Sequence, residues 1–276
     1  MLEEKSLFEG RMDDRYIGVF DSGLGGITVL QELIKILPNE KFVFLADTKR
    51  SPYGEKTREE LYNIVFSNIE TLLNYEVKAI VFACNTASSL DMDLIRTKYK
   101  IPIITVLEAT LEEIKAEDEK VLVAATEATI SSEKHKKLIN SVYPGIEVLG
   151  KACPDIVPSI EFADLSDDEA QNIVGSYLET YINFDLDALV LGCTHYPIWE
   201  GNFVKALPGV KVINPAHKTA KLTEKMLEKH NMLSLKDYST TRDDLFLVTS
   251  DVEIFKYKIK KIFDLNPKNI KKIQII

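Results

Sequence analysis

Two stretches of this chain carry the same short phrase, 109 residues apart, and each ends in a cysteine. Residues 79–84 read Ala-Ile-Val-Phe-Ala-Cys, and residues 188–193 read Ala-Leu-Val-Leu-Gly-Cys. Unbroken apolar runs of this length, rich in Val and Ile, predict parallel strands buried on both faces. In open α/β sheets, ligands gather outside the carboxyl ends of the strands, which places both thiols at ligand-binding edges. Small polar residues follow each thiol: Asn85 and Thr86 after Cys84, Thr194 and His195 after Cys193. Two equivalent strand ends, each delivering one thiol, describe two related half-sites. Chemistry with one acid/base group on each face of a planar intermediate calls for such a pair.

The signals around these strands alternate regularly. Strands are predicted at 16–20, 42–46, 79–83, 103–106, 121–125, 146–149, 188–191, 210–213 and 245–248. Helices are predicted at 27–37, from 57, at 88–98, near 131–140, from 166, and at 216–229 and 252–263. Two of these helices open on capping boxes, Thr57 with Glu60 and Ser166 with Glu169. Such alternation predicts an α/β fold of two lobes, each a parallel sheet flanked by helices, with the site in the cleft between them. The expected division is residues 1–105 plus 216–276 against 106–215, with residues 1–14 a loose arm.

With 276 residues, 45% of them hydrophobic, the chain can bury a large core. A net charge of −9 argues against nucleic-acid binding, which needs clustered Lys and Arg to neutralise phosphates. No apolar run has the roughly 18 residues of a membrane span, and the first residues lack the apolar centre of a secretory signal. Three cysteines without Cys-x-x-Cys spacing describe neither a disulfide framework nor a structural zinc site. The expected compartment is therefore the reducing cytoplasm. The Lys-rich tail, Lys256 to Lys272, reads as a solvated face.

Asp21-Ser22-Gly23-Leu24-Gly25-Gly26 follows the first strand and opens a helix, and its free N–H groups suggest an anion seat. Thr28 stands where a dinucleotide fingerprint needs glycine, and no Gly-Lys-Ser/Thr ending is present. A carboxylate or an amino acid fits that turn better than a nucleotide. A thiol needs a base, a cation or a helix N-terminus to populate thiolate, and the expected helpers are Asp21 for Cys84 and His195 for Cys193. A zinc ion held by Cys193 and His195 would need further ligands, and His135, His217 and His230 are not spaced to supply them. Cys153, outside both repeats, is read as core packing. Ser51-Pro52-Tyr53-Gly54 is a fixed turn, either a connection or part of a pocket rim. Glu161 alone reads as a surface charge.

Four blocks, Val19 to Gly26, Pro52-Tyr53-Gly54, Ala83 to Ser88 and Leu191 to Pro197, together resemble the glutamate racemases of the cofactor-independent aspartate/glutamate racemase family, in the family's order. Supporting matches are Ala125 to Ser131, Cys153-Pro154 through Glu161, and Thr249-Ser250-Asp251. The similarity spans roughly residues 15 to 265. Ala125 and Ser250 stand where the family commonly has glycine, and His135 where it often has an aromatic residue.

The resemblance implies interconversion of L- and D-glutamate without pyridoxal phosphate or metal, supplying D-glutamate for peptidoglycan. It implies Cys84 and Cys193 as the proton donor/acceptor pair, Asp21 assisting Cys84, and His195, oriented by Glu161, assisting Cys193. It places Cys193 on the face that deprotonates L-glutamate. It assigns Asp21, Ser22, Tyr53, Gly54, Asn85, Thr86, Thr194 and His195 to substrate binding, with Asp47 a further polar position. No cofactor is expected, and glutamate is the only partner implied. A homodimer is compatible with it, and the sequence does not decide the oligomeric state. Three other readings stay open: an aspartate racemase, a single-cysteine isomerase or amide hydrolase with Cys84 as nucleophile, and a two-lobed amino-acid binding module.

Overall fold

The computed structural model describes residues 13–236, 238 and 242–275. The expected arm falls largely outside these residues. The first lobe opens with β1 (Tyr16–Asp21), α1 (Ile27–Ile36), β2 (Phe42–Ala46), α2 (Arg58–Leu73), β3 (Val77–Phe82), α3 (Asn85–Ser88), α4 (Met92–Lys98) and β4 (Ile103–Thr105), and α5 (Val106–Leu111) leads on from β4. The second runs through β5 (Lys120–Ala125), α6 (Glu127–Ser131), α7 (Lys134–Val142), β6 (Glu147–Ala152), α8 (Ile156–Phe162), α9 (Asp167–Leu178), β7 (Ala188–Gly192), α10 (Glu200–Ala206) and β8 (Lys211–Ile213). The chain then returns to the first sheet through α11 (Ala216–Lys229), β9 (Leu245–Val248), α12 (Val252–Phe263) and β10 (Asn269–Lys272).

Both sheets are parallel, with orders β10-β9-β2-β1-β3-β4 and β6-β5-β7-β8. The order of β2-β1-β3-β4 repeats in β6-β5-β7-β8, so the internal duplication extends from the cysteine strands to whole sheets. The cysteine strands β3 and β7 occupy equivalent places, each beside the first strand of its lobe. Every residue of β3 and β7 is buried, as their continuous apolar runs require. Apolar clusters cover both faces of each sheet. One, around Leu30, Phe44 and Val81, packs α1, α11 and α12 on the first sheet, and another, around Phe20, Val65 and Phe82, packs α2 on its reverse.

Both expected capping boxes form, Thr57 with Glu60 on α2 and Ser166 with Glu169 on α9. The helix expected over 88–98 is instead two. The short α3 ends as the Ser88 and Ser89 hydroxyls donate to main-chain carbonyls of the preceding turn, and Asp91 starts α4 by accepting from Asp93 and Leu94 N–H. The expected helix near 131–140 is likewise split, by Glu133 in the left-handed region at φ 54°. Edge strand β10 was not expected: its pattern is largely exposed and Lys-rich, and its N–H and C=O groups pair with β9 alone. No helix among the described residues is long and apolar enough to cross a membrane.

Candidate active site

The register of the ladders decides where the site forms. Phe20 pairs with Phe82 across β1 and β3, and Ala125 with Gly192 across β5 and β7. The carboxyl ends of these four strands therefore deliver Asp21, Cys84, Thr126 and Cys193 to one region. Cys84 caps α3, and Cys193 leads through His195 into a short 3-10 turn, Tyr196–Trp199. A cleft of about 620 Å³, open to solvent, lies there, lined by both thiols together with Ser22, Tyr53–Gly54, Asn85–Thr86 and Thr194–His195. Of the expected site residues, Asp21 and Glu161 stand behind this wall, and Asp47 is one layer further out.

Around Cys84 the helper is an anion. Asp21 is fully buried, and its Oδ2 accepts from Gly23 N–H at 3.3 Å and Gly26 N–H at 2.8 Å. Thr194 of the second lobe donates to Oδ1 at 3.3 Å. Part of the anion seat expected from the sequence is thus filled from within: the Gly23 and Gly26 N–H groups hold the chain's own Asp21 carboxylate. A Cβ on Gly26 would lie 2.4 Å from that of Asp21, so this close approach requires glycine. Burial, and then the nearby Asp21 charge, push the Cys84 thiol far above its ordinary value, so Cys84 rests protonated.

Around Cys193 the helper is a cation-forming pair. His195 Nδ1 lies 3.9 Å from Cys193 Sγ, and His195 Nε2 lies 2.8 Å from Glu161 Oε1. Burial works against a charged imidazole, but the contacts with Cys193 and Glu161 outweigh it and raise His195 well above its ordinary value. Burial alone would raise Glu161, yet His195 and then Lys258 bring it down to about 2. Leu24 N–H reaches the same Oε1 at 3.4 Å, and Lys258 Nζ donates to Oε2 at 3.0 Å. Glu161 is thus no surface charge, as its sequence context alone suggested. Gly25 lets the imidazole approach: a Cβ there would meet His195 Nδ1 and Thr194 Oγ1 at 2.5 Å.

The remaining wall carries neutral polar side chains, the acids Glu55 and Glu127, and an apolar edge. Asn85 is 2% exposed, and neither its Nδ2 nor its Oδ1 has a partner within the protein. A buried amide left without partners is costly, so the cleft carries an unmet demand for a polar ligand. Thr86, Thr126 and Thr129 share hydroxyl contacts of 2.9–3.1 Å across the lobe boundary. The Tyr53 hydroxyl donates to Asp47 Oδ2 at 2.6 Å and accepts from Asn68, so its phenol is committed away from the cleft. Asp47 also binds Arg50 and Thr249, and so ties the Tyr53 hydroxyl to both.

Thr126 is a wall residue that sequence reasoning did not single out, although its place just after β5 was a usable signal. Pro154, Val157 and Pro158, which form an apolar edge of the cleft, carried none. Cys153 is fully buried in the second core, where burial pushes its thiol up to about 12, as a packing role requires. His135 lies away from the cleft, with neither ring nitrogen partnered. Among the described residues, no group of three His, Cys, Asp or Glu side chains is arranged to hold a metal ion.

The fold is a two-lobed α/β architecture with one thiol from each lobe in a shared cleft. Residues 37–223 match the Asp/Glu/Hydantoin racemase family, and the chain belongs to that family. It is 39% identical over 250 residues to glutamate racemase 2 of Caldanaerobacter subterraneus subsp. tengcongensis, an alignment covering 89% of this chain and 92% of that one. Among solved structures it is similar to a glutamate racemase isoform from Bacillus anthracis, with a TM-score of 0.90, 28% identity, and 95% and 98% of the two chains covered. The glutamate racemase of Francisella tularensis subsp. tularensis in complex with D-glutamate superposes at a TM-score of 0.88, with 32% identity over 96% and 99% of the chains.

Proposed function

We infer that this chain racemises glutamate, with Cys84 and Cys193 as the two acid/base groups and no cofactor. The observation that carries this reading is that both thiols, from equivalent strand ends of the two lobes, line one cleft with unlike protonation environments. Cys84 rests as the acid beside Asp21, and Cys193 lies 3.9 Å from His195 Nδ1. For L-glutamate, the Cys193 thiolate removes the α-proton and Cys84 delivers its own to the opposite face. The reverse reaction exchanges their roles. The α-proton is very weakly acidic, so the carbanion must form in a dry site among fixed donors.

The described residues lining the cleft include no Lys or Arg, so the substrate's carboxylates fall to neutral donors. Ser22, Asn85, Thr86 and Thr194 supply side chains, and Tyr53 and Gly54 supply main chain. Asp21 and His195 complete the set as helpers next to the thiols. Glutamate is favoured over aspartate by glutamate racemases that cover 89% and 91% of this chain at 39% and 36% identity. We further propose the lobe division 1–105 plus 216–276 against 106–215, consistent with the two sheets, and a cytoplasmic role supplying D-glutamate for peptidoglycan.

The test is incubation of pure protein with L-glutamate in D₂O, followed by circular dichroism and α-proton NMR. The dichroism decays to zero from either enantiomer, with one solvent deuteron entering per inversion, and the rate survives EDTA and hydroxylamine. Turnover of aspartate in preference to glutamate would overturn the substrate. Loss of activity on chelation, restored by metal, would overturn the cofactor-free mechanism.

A further inference from the structure

Lys258 is set apart from the other lysines of α12. Lys256, Lys260 and Lys261 have side chains 43%, 60% and 46% exposed and pair with Glu253, Asp264 and Asp164 at the surface. Lys258 is 20% exposed and reaches the other way, to Glu161 Oε2 at 3.0 Å. The ring of Phe162 lies beneath its ammonium at 4.3 Å from the centroid, a cation–π contact that holds the charge in place. Helix α12 lies between two strands of the first sheet, while Glu161 and Phe162 end α8 of the second lobe. The ion pair therefore crosses between lobes.

Glu161 is 9% exposed at its side chain and uses both oxygens. Oε1 faces His195 Nε2 and Leu24 N–H, and Oε2 faces Lys258. A carboxylate gripped at one oxygen can swing about its last torsion, which is soft. Gripped at both, it has one orientation, and so has the imidazole bonded to it. Resting on the racemase reading above, we propose that Lys258 is a positioning residue of the Cys193 half-site, pinning Glu161 so that His195 holds its line to the thiol. It touches neither the cleft nor Cys84, so its effect falls on one face of the substrate.

The readout is the primary isotope effect of α-deuterated glutamate in each direction. Enantiomers have equal free energy, so any variant has equal kcat/KM for L and D, and a one-sided defect is hidden in simple rates. Slowing the Cys193 step makes that step more limiting. For Lys258→Met, kcat/KM falls about tenfold, the loss of one partly buried charge contact at the transition state. Its isotope effect rises for α-deuterated L-glutamate and falls towards unity for the D form. Lys258→Arg restores most of the activity, and Lys256→Met behaves as wild type.

If Lys258→Met does not fold, Lys258→Gln is read in the same way. The opposite asymmetry would keep Lys258 in the half-site and exchange the faces of the two thiols. Unaltered isotope effects, or an equal change for both enantiomers, would overturn the proposal. A wild-type protein that leaves glutamate unchanged would overturn the racemase reading instead, a result that does not involve Lys258.

Discussion

The two half-sites sit on the same scaffold and solve the same problem with opposite charges. By position in the ladders, the last residue of β1 is Asp21 and the last residue of its counterpart β5 is Ala125. The first lobe thus carries its helper on the neighbouring strand, behind Cys84. The second lobe has a methyl group there and carries its helper two residues beyond Cys193, in His195, with Glu161 behind it. Burial, and then the anion beside it, keep the Cys84 thiol protonated, while the imidazole beside Cys193 is raised well above its ordinary value by Cys193 and Glu161. Duplicated topology positions the thiols. Unlike neighbours give the two thiols unlike surroundings, a carboxylate behind one and an imidazole beside the other.

The sharpest way to break this comparison is to remove the thiols. Cys84→Ala and Cys193→Ala each abolish racemisation, a loss of at least about 10²–10⁴-fold, because inversion needs both a base and an acid. Cys153→Ala keeps most activity. The serine variants separate the faces. Cys84→Ser still exchanges or eliminates from L-glutamate and its β-substituted analogues, and Cys193→Ser from the D forms, followed by α-proton NMR. A Cys84→Ala protein racemising near the wild-type rate would remove the two-thiol mechanism.

Next come the helpers. His195→Asn and Asp21→Asn each lower kcat/KM, by about 10²-fold as expected for acid/base assistance. Their α-deuterium isotope effects shift in opposite directions: upward with L-glutamate for His195→Asn, upward with D-glutamate for Asp21→Asn. Shifts of the same sign would leave the two thiols standing but dissolve the pairing of each with its helper.

A smaller effect is expected where no chemistry is touched. Gly25→Ala adds a methyl group 2.5 Å from His195 Nδ1. A ring displaced by part of an ångström costs about tenfold in turnover, with the isotope-effect signature of His195→Asn. Thermal melts of that variant check that the fold persists.

The last effect lies outside the cleft and falls on stability, with turnover left alone. Burial lowers His135 to about 4, below the value of about 6.5 it has when the chain is unfolded. The unfolded chain therefore binds a proton that the folded protein refuses. The stability associated with a neutral His135 is complete above about pH 6.5 and is lost as pH falls towards 4, by about 3 kcal/mol at most. His135→Leu flattens this part of the curve, measured as midpoints of denaturation between pH 4 and 7.

Much of this was legible in the chain. The β3 and β7 runs, both capping boxes and the order of strands and helices follow from apolar periodicity and local hydrogen bonding, which neighbours in sequence determine. The thiols, Asn85, Thr86, Thr194 and His195 were legible because they follow strand ends, where a parallel sheet always opens to ligand. Resemblance to a known family supplied Glu161, whose local sequence is that of an exposed helix end. Splits such as Ser88–Asp91 escaped notice because hydroxyl-to-carbonyl bonds compete with helix over single residues.

Lys258 shows the limit most plainly. It stands in a run of lysines that reads as a solvated face, and for Lys256, Lys260 and Lys261 that reading holds. One helical turn sends Lys258 to Glu161, 97 residues away in sequence. Likewise the glycine turn promised an anion seat, and only the folded chain assigns part of that seat to Asp21. The sequence by itself determined the two lobes, the strand ends and the presence of a thiol at each, because these depend on period and on local caps. The tertiary structure decided which charge faces which thiol, because charges act through space over a few ångströms and the partners meet only when two sheets close on one cleft.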